Sequence, residues 1–170
     1  MTLPLILHLS QDDPKKCSAR KMVRLGKAKM VEHFHDIPHK YLLLDPFTKV
    51  ALSPADRVIF DKRGIAAIDC SWEEAERVFK KFRQVRKVHS RALPLLIAVN
   101  PVKFGKWGEL STLEALAASY YILGMKDQAA DMMSIYTWGE NFIKINKEPL
   151  EAYAACRDST EVVEVQKEFL

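Results

Sequence analysis

Asp69-Cys70-Ser71-Trp72 places a carboxylate, a thiol, a hydroxyl and an indole in four consecutive residues. They stand where an apolar run, Ile65-Ala66-Ala67-Ile68, gives way to a helical pattern. In open α/β sheets, ligands gather beyond the carboxyl ends of the strands. A carboxylate there can act as a base, hold a ribose or support the turn, and position alone slightly favours support. Trp72 reads either as a staple buried at a helix start or as a surface for stacking on a base or ligand. Cys70 reads as a structural thiol, because no histidine is near it in sequence.

A second group follows in Asn100-Pro101-Val102-Lys103-Phe104-Gly105-Lys106-Trp107-Gly108, which holds two aromatics, two glycines and two lysines. Long loops at strand ends often carry function. Ser111 and Glu114 then form a capping-box pattern, and the N–H groups of a helix start suit anions or carboxylates. His33, His35 and His39 give only an HxH pair with no acidic or cysteine partner at ligand spacing, so no metal site is expected. Neither GxGxxG nor a phosphate-binding P-loop motif occurs.

The elements that must position these groups alternate in the first half. Residues 5–9, 41–44, 58–60, 65–68 and 95–99 predict strands. Residues 18–32 predict a helix, with Lys16, Arg20 and Arg24 four apart on one face. Ser71 with Glu74 predicts a capping box, and Ala75, Phe79, Phe82 and Val85 mark the apolar face of the next helix. The second half predicts helices alone, from Ser111 to Gly124 and then about 126–136, 137–146, 148–157 and 159–168. The pattern predicts an α/β domain over residues 1–92 and a mainly helical domain over residues 93–170.

The 170 residues carry a net charge of +4, divided unevenly. Residues 1–92 hold 19 Lys and Arg against 11 Asp and Glu, whereas residues 93–170 hold 7 against 11. That asymmetry fits a basic face for a polyanion and fits two differing solvated surfaces equally well. No apolar run approaches the roughly 20 residues that span a bilayer. The N-terminus lacks a basic n-region and reads as a strand, not a signal peptide. Three widely spaced cysteines suggest free thiols in a reducing compartment, so a cytoplasmic location is expected.

Taken in order, several motifs resemble one known family. They are Asp12-Asp13-Pro14-Lys15-Lys16-Cys17-Ser18, Asp69-Cys70-Ser71-Trp72, Arg91-Ala92-Leu93-Pro94, Asn100-Pro101, and Leu110-Ser111-Thr112-Leu113-Glu114-Ala115-Leu116. Trp138-Gly139-Glu140-Asn141-Phe142, Asn146, Leu150 and Tyr153 complete the set. The chain looks like the small-subunit rRNA aminocarboxypropyltransferases of ribosome biogenesis, in their short archaeal form.

The resemblance implies an α/β fold with a SPOUT-like N-terminal domain containing a deep trefoil knot, followed by an all-helical C-terminal domain. It implies transfer of the 3-amino-3-carboxypropyl group of S-adenosyl-L-methionine to N3 of a uridine or (N1-methyl)pseudouridine in small-subunit rRNA, leaving 5′-methylthioadenosine. Carried across by position, the cofactor contacts are Ser18, Ile68, Leu93, Gly108 and Thr112. Trp72 then packs against the methyl side of the sulfonium, and Asp69 is the candidate general base. The basic groups Lys15, Lys16, Arg20, Arg24 and Lys27, and Arg77, Lys80, Lys81, Arg83 and Lys87, become candidate phosphate contacts. The chain departs from the family pattern at Ser18 (often Thr), at Lys103-Phe104 (often Asn or His, then Tyr) and at Gly108 (aromatic in some relatives). A monomer without a metal is expected. The competing readings are a SPOUT-like RNA methyltransferase and a non-catalytic rRNA-binding assembly factor.

Overall fold

The structure is a computed structural model that describes residues 2–9 and 17–170. Five short strands form one parallel sheet: β1 (Leu5–His8), β2 (Lys29–Val31), β3 (Leu42–Leu44), β4 (Ile65–Asp69) and β5 (His89–Arg91). Their order is β2-β1-β4-β3-β5. The apolar runs of β1, β3 and β4 are buried almost end to end, as parallel strands covered on both faces require. Three helices accompany the strands: α1 (Ser18–Arg24), α2 (Arg57–Lys62) and α3 (Trp72–Val85). On α3, Ala75, Val78, Phe79 and Phe82 fall at helical spacing, and all four are buried. Phe79 and Phe82 join Leu5, Leu7, Leu43 and Ala66 in one apolar cluster.

Two compact units can be distinguished, residues 1–49 with 58–92, and residues 50–57 with 93–170. The sheet belongs to the first. The second holds α4 (Thr112–Ile122), α5 (Lys126–Met133), α6 (Gly139–Ile145), α7 (Lys147–Ala154) and α8 (Ser159–Gln166). Nine of the eleven residues of α4 are buried, which makes it the central helix of that unit. Gly139 opens α6 where a Cβ would lie 1.8 Å from the Met133 carbonyl oxygen, so no other residue fits there.

The expected SPOUT-like, deeply knotted N-terminal domain followed by an all-helical C-terminal domain is corrected. The chain forms an α/β fold built on the five-stranded parallel sheet, and the assignment of several segments changes with it. Residues 58–60 are helical within α2, because only Phe60 is buried and Val58 faces solvent. The predicted helix over 18–32 stops at Arg24, Gly26 takes φ +74°, and Lys29–Val31 becomes β2. The fifth strand is the polar, half-buried His89–Arg91. Residues 95–99 are extended but lie outside the sheet, and residues 50–57 belong with the second unit, so the units are not consecutive along the chain.

Candidate functional site

The sheet order determines where the chemistry gathers. After β1 the chain passes through α1 to β2 on one side, and after β4 it passes through α3 to β5 on the other. The carboxyl ends of β1 and β4 therefore flank a topological switch point, where open α/β sheets hold their ligands. His8 pairs with Asp69 in the parallel register at those ends. The Leu9 N–H donates to the Asp69 carbonyl at 2.8 Å, which extends the pairing one step further.

Three side chains meet there. His8 Nε2 lies 3.2 Å from Asp69 Oδ2 and 3.3 Å from Cys17 Sγ, and the Cys17 thiol stands 3.7 Å from the same carboxylate oxygen. The His8 side chain is buried and that of Asp69 is largely so. Burial, chiefly, pushes the Cys17 thiol above its ordinary range, and the Asp69 charge adds to this against backbone N–H groups that pull it down. A neutral thiol donates its hydrogen to the carboxylate. Cys70 is pushed up to about 11, first by burial and then by Asp69 and Glu74. The His8, Cys17 and Asp69 ligand atoms lie within 4.8 Å of one another, a spacing that also suits a metal ion. Sequence reasoning missed His8 and Cys17, although β1 ends on His8 and Cys17 immediately precedes Ser18.

The other expected residues fall as follows. Ser18 is the first residue of α1, Ile68 and Asp69 end β4, and Trp72 is the first residue of α3. Trp72 is 56% exposed, which rules out the buried staple. The Ser71 capping box is not formed: the Ser71 side chain makes no cap hydrogen bond, and Glu74 pairs with Arg77. Arg20 and Arg24 project from α1 and Arg77, Lys80, Lys81 and Arg83 from α3, all exposed, with Lys27 and Lys87 just beyond those helices. Arg83 is also committed inward, donating to the buried Asp45 carboxylate at 2.6 Å. Lys15 and Lys16 lie outside the described residues. His33 and His35 stack on each other, and His39 Nδ1 accepts the Lys87 N–H at 3.1 Å.

Leu93, Gly108 and Thr112 belong to the second unit. Thr112 is the first residue of α4, and Gly108 takes φ +74° four residues earlier. Here the capping box does form, with Ser111 Oγ accepting the Glu114 N–H. Glu114 is fully buried and its carboxylate accepts four N–H groups. Val99 N and Asn100 N donate to Oε2 at 2.7 and 3.0 Å, and Asn100 Nδ2 and Ser111 N donate to Oε1 at 2.6 and 2.9 Å. The extended segment before it is bound by other side chains. Asn146 exchanges two hydrogen bonds with the Ile97 backbone at 2.8 and 2.9 Å, Gln166 accepts Leu95 N–H at 2.8 Å, and Tyr153 donates to Leu95 O at 2.9 Å. Residues 97 and 107 form an antiparallel bridge, so the loop after Val99 is a hairpin.

The family model described as "Ribosome biogenesis protein, C-terminal" matches residues 42–170. A model described as a possible Fer4-like domain in RNase L inhibitor matches residues 5–32, where Cys17 is the one cysteine, so the four thiolates of an iron–sulfur cluster are not provided. The 16S rRNA aminocarboxypropyltransferase of Methanosarcina mazei is 47% identical, over 99% of this chain and 95% of its own. That of Methanocaldococcus jannaschii is 46% identical, over 100% and 98%. The solved SAM-dependent rRNA:acp-transferase Tsr3 of Vulcanisaeta distributa superimposes with a TM-score of 0.87 at 47% identity, over 95% of this chain and 87% of that one.

Proposed function

We propose, from its membership of the 16S rRNA aminocarboxypropyltransferase family of ribosome biogenesis proteins, to which this chain belongs, that it transfers the 3-amino-3-carboxypropyl group of S-adenosyl-L-methionine to small-subunit rRNA. The observation that carries this is identity above 45% across nearly the whole of both chains.

The residues present fit the cofactor chemically. The Asp69 carboxylate complements a sulfonium charge. Gly108, at positive φ with open space where a Cβ would stand, allows a close backbone approach. When bound, the cofactor supplies an electrophilic γ-carbon and carries the leaving electrons away on sulfur as 5′-methylthioadenosine.

This chain's residues do the rest. Ser18, Ile68, Leu93, Gly108 and Thr112 hold the cofactor, with backbone groups of Ile68, Leu93 and Gly108 recognising adenine and ribose. Trp72 covers the methyl side and leaves the longer chain facing the acceptor. Asp69 accepts the proton from N3 of a uridine or (N1-methyl)pseudouridine, at hydrogen-bond reach. Positioning supplies much of the remaining rate. Arg20, Arg24, Lys27, Arg77, Lys80, Lys81, Arg83 and Lys87, with Lys15 and Lys16, contact phosphates. The enzyme acts as a monomer without a metal. It acts in the cytoplasm, where its free thiols stay reduced.

The test is to incubate the full chain with S-adenosyl-L-methionine and unmodified small-subunit rRNA and to analyse both products by mass spectrometry. An aminocarboxypropylated nucleotide with methylthioadenosine is the expected result. A methylated nucleotide with S-adenosylhomocysteine, or no product, would refute the reading.

A further inference from the structure

Val102, Phe104 and Trp107 are 72%, 65% and 46% exposed, so three large apolar side chains crowd the solvent face of six consecutive residues. The backbone beneath them is well fixed. Ala98 N donates to Lys106 O at 2.8 Å, Gly105 N to Ala98 O at 2.8 Å and Gly108 N to Leu96 O at 2.9 Å. Asn100 Oδ1 accepts the Lys103 N–H at 3.0 Å, and Asn100 itself is gripped by the buried Glu114. A rigid hairpin that displays apolar side chains marks an interaction surface.

The order of residues points to the kind of partner. Val102-Lys103-Phe104-Gly105-Lys106-Trp107 sets each apolar group beside a lysine or a glycine. That alternation breaks up the continuous apolar area that a protein interface core or a membrane anchor needs. Flat rings interleaved with cations match bases interleaved with phosphates, the pattern by which unpaired RNA is bound. Lys103 and Lys106 Nζ both lie 3.7 Å from the Glu109 carboxylate, so two cations share one anion and a net positive charge remains at the tip. Gly105 takes φ +82° with nothing within 4 Å of where a Cβ would stand, which leaves room for a sugar or phosphate against the backbone.

We infer that the tip of this hairpin is a docking surface for unpaired nucleotides of the RNA substrate, with Phe104 as the stacking platform and Lys103 and Lys106 as its phosphate contacts. The inference rests on the rRNA-directed function proposed above. It adds residues of the second unit to the basic residues of α1 and α3.

The test uses the full chain and a short fluorescent oligouridylate, with binding read by anisotropy. Phe104→Ala should weaken binding about tenfold, the effect of losing one base–aromatic stack. Phe104→Tyr should restore it, and Lys103→Glu with Lys106→Glu should weaken it and flatten its salt dependence. Affinity for S-adenosyl-L-methionine and the unfolding midpoint should not move. Parental oligouridylate binding by Phe104→Ala would overturn the inference, as would loss of cofactor binding together with RNA binding. So would binding of anionic vesicles or self-association that Phe104→Ala abolishes while leaving RNA binding intact. Oligouridylate binding is scored without turnover, whereas the functional reading fails on the absence of product from the parent, so the two failures are distinguishable.

Discussion

His8 holds one oxygen of Asp69 at 3.2 Å, and the geometry of that contact sets expectations for single substitutions. Asp69→Asn keeps the shape and removes the base. It should lower the turnover number for aminocarboxypropyl transfer about a hundredfold, while calorimetry shows cofactor affinity weakened by a smaller factor, from loss of the charge that complements the sulfonium. His8→Leu removes the partner that orients the carboxylate and should cost about tenfold in turnover, with His8→Gln in between. Equal rates for parent and Asp69→Asn would exclude the base. The raised thiols give a second expectation. With Cys70 at about 11, its thiolate fraction at pH 8 is about one part in a thousand. Mass spectrometry after iodoacetamide treatment should find it slow to alkylate at pH 8 and progressively faster as pH rises toward 11. Asp69 was legible because it closes an apolar run before a helix. His8 and Cys17 were not, because parallel pairing sets the end of β1 beside the sequence-distant end of β4, and Cys17 meets them from the start of α1.

Among the elements, the hairpin and α4 depend on Glu114. Glu114→Ala strands four N–H groups, three of them buried, and should cost about 3 kcal/mol in urea unfolding, with Glu114→Gln losing less because one carbonyl remains to accept. Gly139→Ala forces a Cβ onto the Met133 carbonyl and should lower stability by a comparable amount, about 3 kcal/mol. The helices of the second unit were legible from apolar spacing and capping residues, and α5 to α8 fall within or close to their predicted ranges. Strands were harder to read. β5 is too polar and too short to show a period of two, and residues 95–99 look like a sheet strand because the run is apolar throughout and buries Leu96, Ala98 and Val99.

For the whole molecule, the basic excess lies in the first 92 residues and is displayed on exposed positions of α1 and α3. Reversing Arg20, Arg24, Lys80 and Lys81 together should weaken rRNA binding strongly at low salt and reduce the slope of log affinity against log salt by about four. Filter binding across a salt series measures both. Arg83 is left out of that set because its loss would strand the buried Asp45. Charge asymmetry alone suggested a polyanion without identifying it. The fold class was read as α/β, but a knotted domain followed by a purely helical one was not what formed.

Residues 95–99 carry one further consequence. Leu95-Leu96-Ile97-Ala98-Val99 is uncharged and apolar, the composition from which cross-β fibrils grow when a backbone edge lies open. Here Asn146 and Gln166 occupy N–H or C=O groups at Ile97 and Leu95, Tyr153 takes the Leu95 carbonyl, and Glu114 takes the Val99 N–H. These side chains deny the segment to an incoming strand. Weakening them should expose the chain to amyloid-like aggregation during synthesis.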